Sequence, residues 1–159
     1  MIPAKDIQDR IVRAVCDLYR HDGDLLNLQA SERSITHKLA EHMQRQFPRW
    51  DVDCEYNRLG AQPKRIATTL VLPDIIVHRR SSPDNILVIE IKKPDGEDDA
   101  ADMDRLHEFR NDPSYRYHYG LFLRLGRTSC ERAVLLSDEG DKDWTGLVQA
   151  ALKELGYGG

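Results

Sequence analysis

Nothing in this chain approaches the run of about 20 apolar residues that a membrane-spanning helix requires, so no membrane segment is expected. Cysteine is scarce: Cys16, Cys54 and Cys130 are widely separated and make no zinc-binding spacing. Reduced thiols in a cytoplasmic protein are the plain expectation. The six histidines, His21, His37, His42, His78, His107 and His118, form neither a His-Glu-x-x-His pair nor a mixed Cys/His ligand set. A Gly-x-Ser-x-Gly elbow, a Walker loop and a dinucleotide fingerprint are absent too. So are internal repeats and low-complexity tracts. Met1-Ile2-Pro3-Ala4-Lys5-Asp6 lacks the charged-then-apolar layout of a secretory leader. A basic excess is missing as well: the formal charge is −4, which speaks against a dedicated nucleic-acid coat. It leaves local patches to decide any phosphate contact.

What is present suits one soluble domain, residues 1–159, with a single core: 159 residues, 40 % hydrophobic and 31 % charged. Ile7, Ile11, Val15 and Leu18 recur at helical spacing and predict an amphipathic helix over 4–20. His21-Asp22-Gly23-Asp24 should end it, with Gly23 in the left-handed conformation, and Leu25, Leu26 and Leu28 should pack as a connector. A second helix is expected from Ser31 to Phe47, capped by Ser31 or Ser34, with Ile35, Leu39, Met43 and Phe47 every fourth residue. Glu32 extends that stripe backward by three and sits inward at the helix start, whereas Glu41 falls on the outer face.

Trp50 to Tyr56 alternates like a strand, and 57–65 reads as a loop rich in hydrogen-bonding groups. The acidic turn 94–99 lacks the order of a calcium loop and should be solvated. A helix over 100–110 should turn Met103, Leu106 and either His107 or Phe109-Arg110 inward. A strand over Tyr117–Leu125, a shorter one over Ala133–Ser137 and a helix over Trp144–Leu155 follow, and the Gly-Tyr-Gly-Gly tail should fray.

The stretch 73–92 carries the chemistry. Ile75-Ile76-Val77 and Ile86 to Ile91 are two β-branched runs around the turn Ser-Ser-Pro-Asp-Asn, which predicts a hairpin. Ionisable residues interrupt or close these runs: Asp74, Glu90 and Lys92. Glu90 and Lys92 share a face because side chains alternate along a strand. With the turn centred on Ser82, Val77 faces Leu87, Ile76 faces Val88 and Asp74 faces Glu90. Directly opposed like charges are destabilising. A divalent cation would offset the repulsion, since Mg²⁺ favours oxygen ligands and is held by one or two carboxylates plus waters and phosphate. The bland reading is a solvated strand end, but Glu90 lies inside Leu-Val-Ile-Glu-Ile, where an unpartnered charge is costly to bury.

Pro73-Asp74, fifteen intervening residues and Glu90-Ile91-Lys92 resemble the motif of the PD-(D/E)XK nuclease superfamily. The resemblance spans about residues 31–125. It implies an α/β fold, the restriction-endonuclease-like αβββαβ core with a mixed sheet flanked by helices, here with an extra N-terminal helix. It further implies Asp74, Glu90 and Lys92 as catalytic residues. Asp74, Glu90, the carbonyl of Ile91 and Glu32 would serve Mg²⁺ or Mn²⁺. The implied activity is phosphodiester hydrolysis, endo- or exonucleolytic, with DNA as the expected substrate. Arg58, Lys64, Arg65 and Lys93 flank the motif and are candidate phosphate contacts; Lys93 also reads as a solvated residue pointing away from Lys92. His78 shares a strand face with Asp74. A homodimer is expected of a duplex cutter with one site per chain. The competing expectation is a catalytically silent domain of the same fold that binds or regulates within a larger complex.

Overall fold

The apolar stripes predicted for the first two helices are buried in the core, whereas Leu147, expected to anchor the last helix, is exposed. The computed structural model describes residues 1–56, 58–59, 62–63, 65–66, 69–70, 72–94 and 99–158, those between 57 and 71 by backbone pairing alone. It is an α/β structure. Its helices are α1 (Ala4–Asn27), α2 (Glu32–Gln46), α3 (Asp99–Asn111) and α4 (Thr145–Glu154). After α2 the chain forms β1 (Asp51–Cys54). Four two-residue strands follow, β2 (Arg58–Leu59), β3 (Gln62–Pro63), β4 (Arg65–Ile66) and β5 (Thr69–Leu70), paired as two small hairpins. Then come β6 (Ile75–His78), β7 (Asn85–Lys92), β8 (Tyr119–Leu125), β9 (Cys130–Ser137) and β10 (Gly140–Asp143).

One mixed sheet has the order β1-β6-β7-β8-β9-β10. Strands β7 and β8 are parallel, as a crossover through α3 permits, and the other neighbours are antiparallel. Alternation sorts the sheet into two faces. Ile75, Val77, Leu87, Ile89, Ile91, Leu121 and Leu123 meet the stripes of α1, α2 and α4. Ile76, Val88 and Phe122 meet Leu106 and Phe109 of α3 and the rings of Tyr115 and Tyr117. Strand β6 is buried throughout and β7 up to Ile91, which is why both read as apolar runs rather than alternating ones.

Ser31 is the cap of α2; its hydroxyl accepts from the Ser34 amide at 3.2 Å. Helix α1 runs further than its sequence predicts. It continues through Gly23 to Asn27 with a kink at Asp22, whose φ of −127° and ψ of 22° are non-helical. The Asp22 carboxylate is held at 2.6 Å by the buried His42 of α2, so a tertiary contact replaces the expected glycine stop. Leu28 is then 79 % exposed instead of packed. Strand β10 was not expected: Gly-Asp-Lys-Asp is exposed at every position and carries no apolar alternation. The tail does not fray at Tyr157, whose hydroxyl donates to the Tyr19 carbonyl at 3.1 Å. The central part of the acidic turn, 95–98, lies outside the described residues. Among the described residues no helix is long and apolar enough to cross a membrane.

Tyr19 ties α1 to the turn after β8, its hydroxyl donating to the Gly126 carbonyl at 2.7 Å in a buried position. Tyr19→Phe leaves that carbonyl unpaired and should cost about 1–3 kcal/mol, read as a lower urea midpoint at unchanged slope. An unchanged midpoint would show that the bond contributes nothing.

Candidate functional site

The register of the β6–β7 hairpin positions the first two acids. Ile75 pairs with Ile89, Ile76 with Val88 and Val77 with Leu87, so the next step of the ladder sets Asp74 opposite Glu90. Asp74 stands just before β6, where its Oδ2 accepts the Ile91 amide at 2.8 Å. Glu90 lies within β7 and is only 3 % exposed. Burial first, then the neighbouring Asp74 charge and the hydrogen bond to it, push the Glu90 carboxyl up to about 9. Burial also raises Asp74, although the Ile91 amide, the Glu90 hydrogen bond and Lys92 pull the other way. At neutral pH Glu90 therefore holds a proton and donates it to Asp74. Among the described residues its Oε1, sealed from solvent, has no hydrogen-bonding partner.

Helix α3 supplies what sequence reasoning missed. Asp102, in its first turn, is 4 % exposed, and its Oδ2 lies 3.3 Å from the Lys92 ammonium. Its Oδ1 lies 3.9 Å from Nη1 of Arg105, and the same Nη1 lies 3.9 Å from Oε2 of Glu90. Asp102 thus bridges two cations, one from β7 and one from its own helix, on the sheet face that carries Glu90. Burial lowers the Lys92 ammonium, but Asp102, Glu32 and Asp74 more than reverse this, and the net shift is upward. Lys92 stays charged. The signal in the sequence was Asp102-x-x-Arg105 at i,i+3 spacing, hidden because 100–110 has little apolar periodicity to say which face is buried.

Glu32 reaches the site from the other layer, where its Oε2 accepts the Lys93 amide at 3.4 Å. Between the start of α2 and the end of β1 a groove of about 530 Å³ opens onto Asp74, lined also by Ser31, Glu32, Thr36, Cys54 and Glu55. Four sequence-predicted residues, Asp74, Glu90, Lys92 and Glu32, are thus brought to one end of β7. Lys93 points away: its ammonium lies 3.5 Å from the Gln29 carbonyl. Lys64 lies outside the described residues, as do the side chains of Arg58 and Arg65. His78 keeps the regular alternation of β6 against β1 and pairs with Asp53 at 2.7 Å. On α3, Phe109 and Arg110 pack inward, while His107 pairs with Asp141 at 3.2 Å on the outside.

Two carboxylates, one with an orphaned buried oxygen, form a donor set that fits a hard cation. Among the described residues no three His, Cys, Asp or Glu side chains stand close enough to make a cage by themselves. Further ligands would then come from a backbone carbonyl such as that of Ile91, from water and from substrate, as is usual for Mg²⁺. Compared with known proteins, the chain matches no family model, no curated protein and no solved structure.

The raised Glu90 group makes stability depend on pH. Its folded-state value of about 9 exceeds the ordinary 4.5, so the folded protein keeps a proton that the unfolded chain releases in between. That stabilisation is complete below about 4.5 and is lost as pH climbs toward 9, and the upward shift of Asp74 acts in the same direction. In chelator-treated protein, urea unfolding should show stability falling from pH 5 to 9 by up to about 1.4 kcal/mol per pH unit. Glu90→Gln, which mimics the protonated acid, should flatten the profile and exceed the parent at pH 8. Parallel profiles would contradict the shared proton.

Proposed function

We propose that this chain is a metal-dependent phosphodiester hydrolase of the PD-(D/E)XK type with a restriction-endonuclease-like core, acting on nucleic acid, DNA first among the candidates. The observation that carries this reading is the meeting of Asp74 and the buried Glu90 across one hairpin, with Lys92 one pleat further on the same face. The order α2, β1, β6, β7, α3, β8, with β7 and β8 parallel, supports it. An isolated pair of opposed acids in a sheet costs stability, and a site that binds a cation gives that cost a purpose.

Asp74 and Glu90 are the residues that would hold Mg²⁺ or Mn²⁺, with Glu32 positioned to orient water at the groove side. A bound cation supplies Lewis-acid polarisation of the phosphate and a nucleophilic water at neutral pH. To serve as a ligand, Glu90 would have to release its proton to solvent. Lys92, kept charged by Asp102, faces the developing negative charge on the phosphate oxygens and stabilises it. The groove beside α2 gives water and substrate a path to Asp74.

A binding or regulatory module without turnover is favoured by one feature: Lys92 is already paired with Asp102, and Arg105 lies beside Glu90, so the charges are largely self-compensated. Titration with Mn²⁺ by calorimetry, followed by incubation with plasmid, single-stranded DNA and RNA, separates the two readings. The hydrolase takes up Mn²⁺ and cleaves at least one substrate. Asp74→Ala and Glu90→Ala should lose metal uptake and cleavage together. Lys92→Ala should keep metal uptake but lose about 10²-fold or more in rate, the scale of removing one oxyanion-stabilising group. Wild-type cleavage by Lys92→Ala refutes its role, and metal uptake without any cleavage favours the binding module.

A further inference from the structure

Arg105 is a cation that the motif does not predict, at a place where a divalent ion would also sit. It rises from the second turn of α3 and is 43 % exposed at its side chain. One of its terminal nitrogens stands 3.9 Å from both Glu90 Oε2 and Asp102 Oδ1. Lys92 differs: it is 24 % exposed and lies closer to Asp102, at 3.3 Å. The shorter contact fixes the ammonium in place, whereas the guanidinium lies at long range, half in solvent, on a flexible stem. Its planar fork matches two non-bridging oxygens of a phosphodiester.

We propose that Arg105 is a displaceable counter-charge that neutralises the Glu90–Asp102 side of the site when no metal is bound and turns to the phosphodiester backbone of the substrate when one is. This rests on the hydrolase reading above. Two cations cannot share the Glu90 oxygens without repulsion, and a doubly charged ion there would stand beside the Arg105 guanidinium. Metal loading therefore pushes the guanidinium outward. The nearest strong acceptors it then meets are the oxygens of an incoming phosphate. Asp102 stays paired with Lys92 throughout, so the loss of Arg105 leaves that carboxylate partnered.

The test uses the full chain with Arg105→Ala and Arg105→Lys. Mn²⁺ affinity is measured by calorimetry, and affinity for a labelled single-stranded DNA oligonucleotide by anisotropy across a salt series with saturating Ca²⁺, another oxygen-ligated dication, in place of Mn²⁺ so that binding is read on the metal-loaded protein. Arg105→Ala should bind Mn²⁺ more tightly, by about three- to ten-fold, because one repelling charge is gone. It should bind the oligonucleotide more weakly, with the slope of log affinity against log salt reduced by about 0.7, as for one lost phosphate contact. Arg105→Lys should keep near-parent Mn²⁺ affinity and recover part of the oligonucleotide affinity, since it restores the charge without the fork. Unchanged or weaker Mn²⁺ binding by Arg105→Ala, with normal uptake by the parent, overturns the displacement role and leaves the hydrolase reading standing. Unchanged oligonucleotide binding overturns the phosphate role in the same way. A parent protein that takes up no Mn²⁺ removes both readings together.

Discussion

A carboxyl group buried inside a β-strand, with a second carboxylate directly across the ladder, is the constraint to which the surrounding residues answer. Glu90 is buried on the sheet face that α3 covers, and Asp74 stands across the ladder from it. Two ionised acids at that spacing, away from water, cannot both persist without compensation. The chain compensates in three ways. Glu90 keeps its proton, Asp74 receives the Ile91 amide, and a cation-rich cluster from α3 and β7 lies alongside. One Glu90 oxygen is nevertheless left without a partner.

Such an arrangement is a poor way to stabilise a fold. Apolar residues of similar size would fill the same volume without the desolvation cost, and buried ion pairs rarely recover what their burial costs. The hydrophobic faces of β6 and β7 already supply the packing: β6 is buried along its whole length and β7 at every position before Lys92. Strain of this kind concentrates where a protein binds something that removes it. On the proposed reading that ligand is a hard divalent cation, and the phosphate it recruits relieves Arg105 in turn. The sheet does the positioning: antiparallel pairing brings Asp74 to Glu90, and the crossover from β7 through α3 to β8 lays Asp102 and Arg105 over the same strand end.

The sequence made the hairpin and the register of its central pairs legible because two β-branched runs flank a short turn rich in Ser, Pro, Asp and Asn. The same holds for α2, whose every-fourth-residue stripe and Ser31 cap set both its face and its start. Elements governed by tertiary contact were harder to read. The continuation of α1 past Gly23 depends on His42 holding the kink, and β10 depends on its ladder with β9, since its own residues are all exposed. Asp102 and Arg105 were missed for a related reason. Local pattern tells which residues a helix buries only when they are apolar, and a buried aspartate that answers a lysine on a distant strand leaves no periodic trace.

The proposed site depends on the proton held between Asp74 and Glu90 and on its replacement by a metal ion. Calorimetry of Mg²⁺ binding at pH 7, repeated in buffers of different ionisation enthalpy, counts the protons released for each cation taken up. Release of about one proton per ion is predicted, because the Glu90 group must ionise to become a ligand. Uptake with no proton released, or no uptake at all, would contradict it.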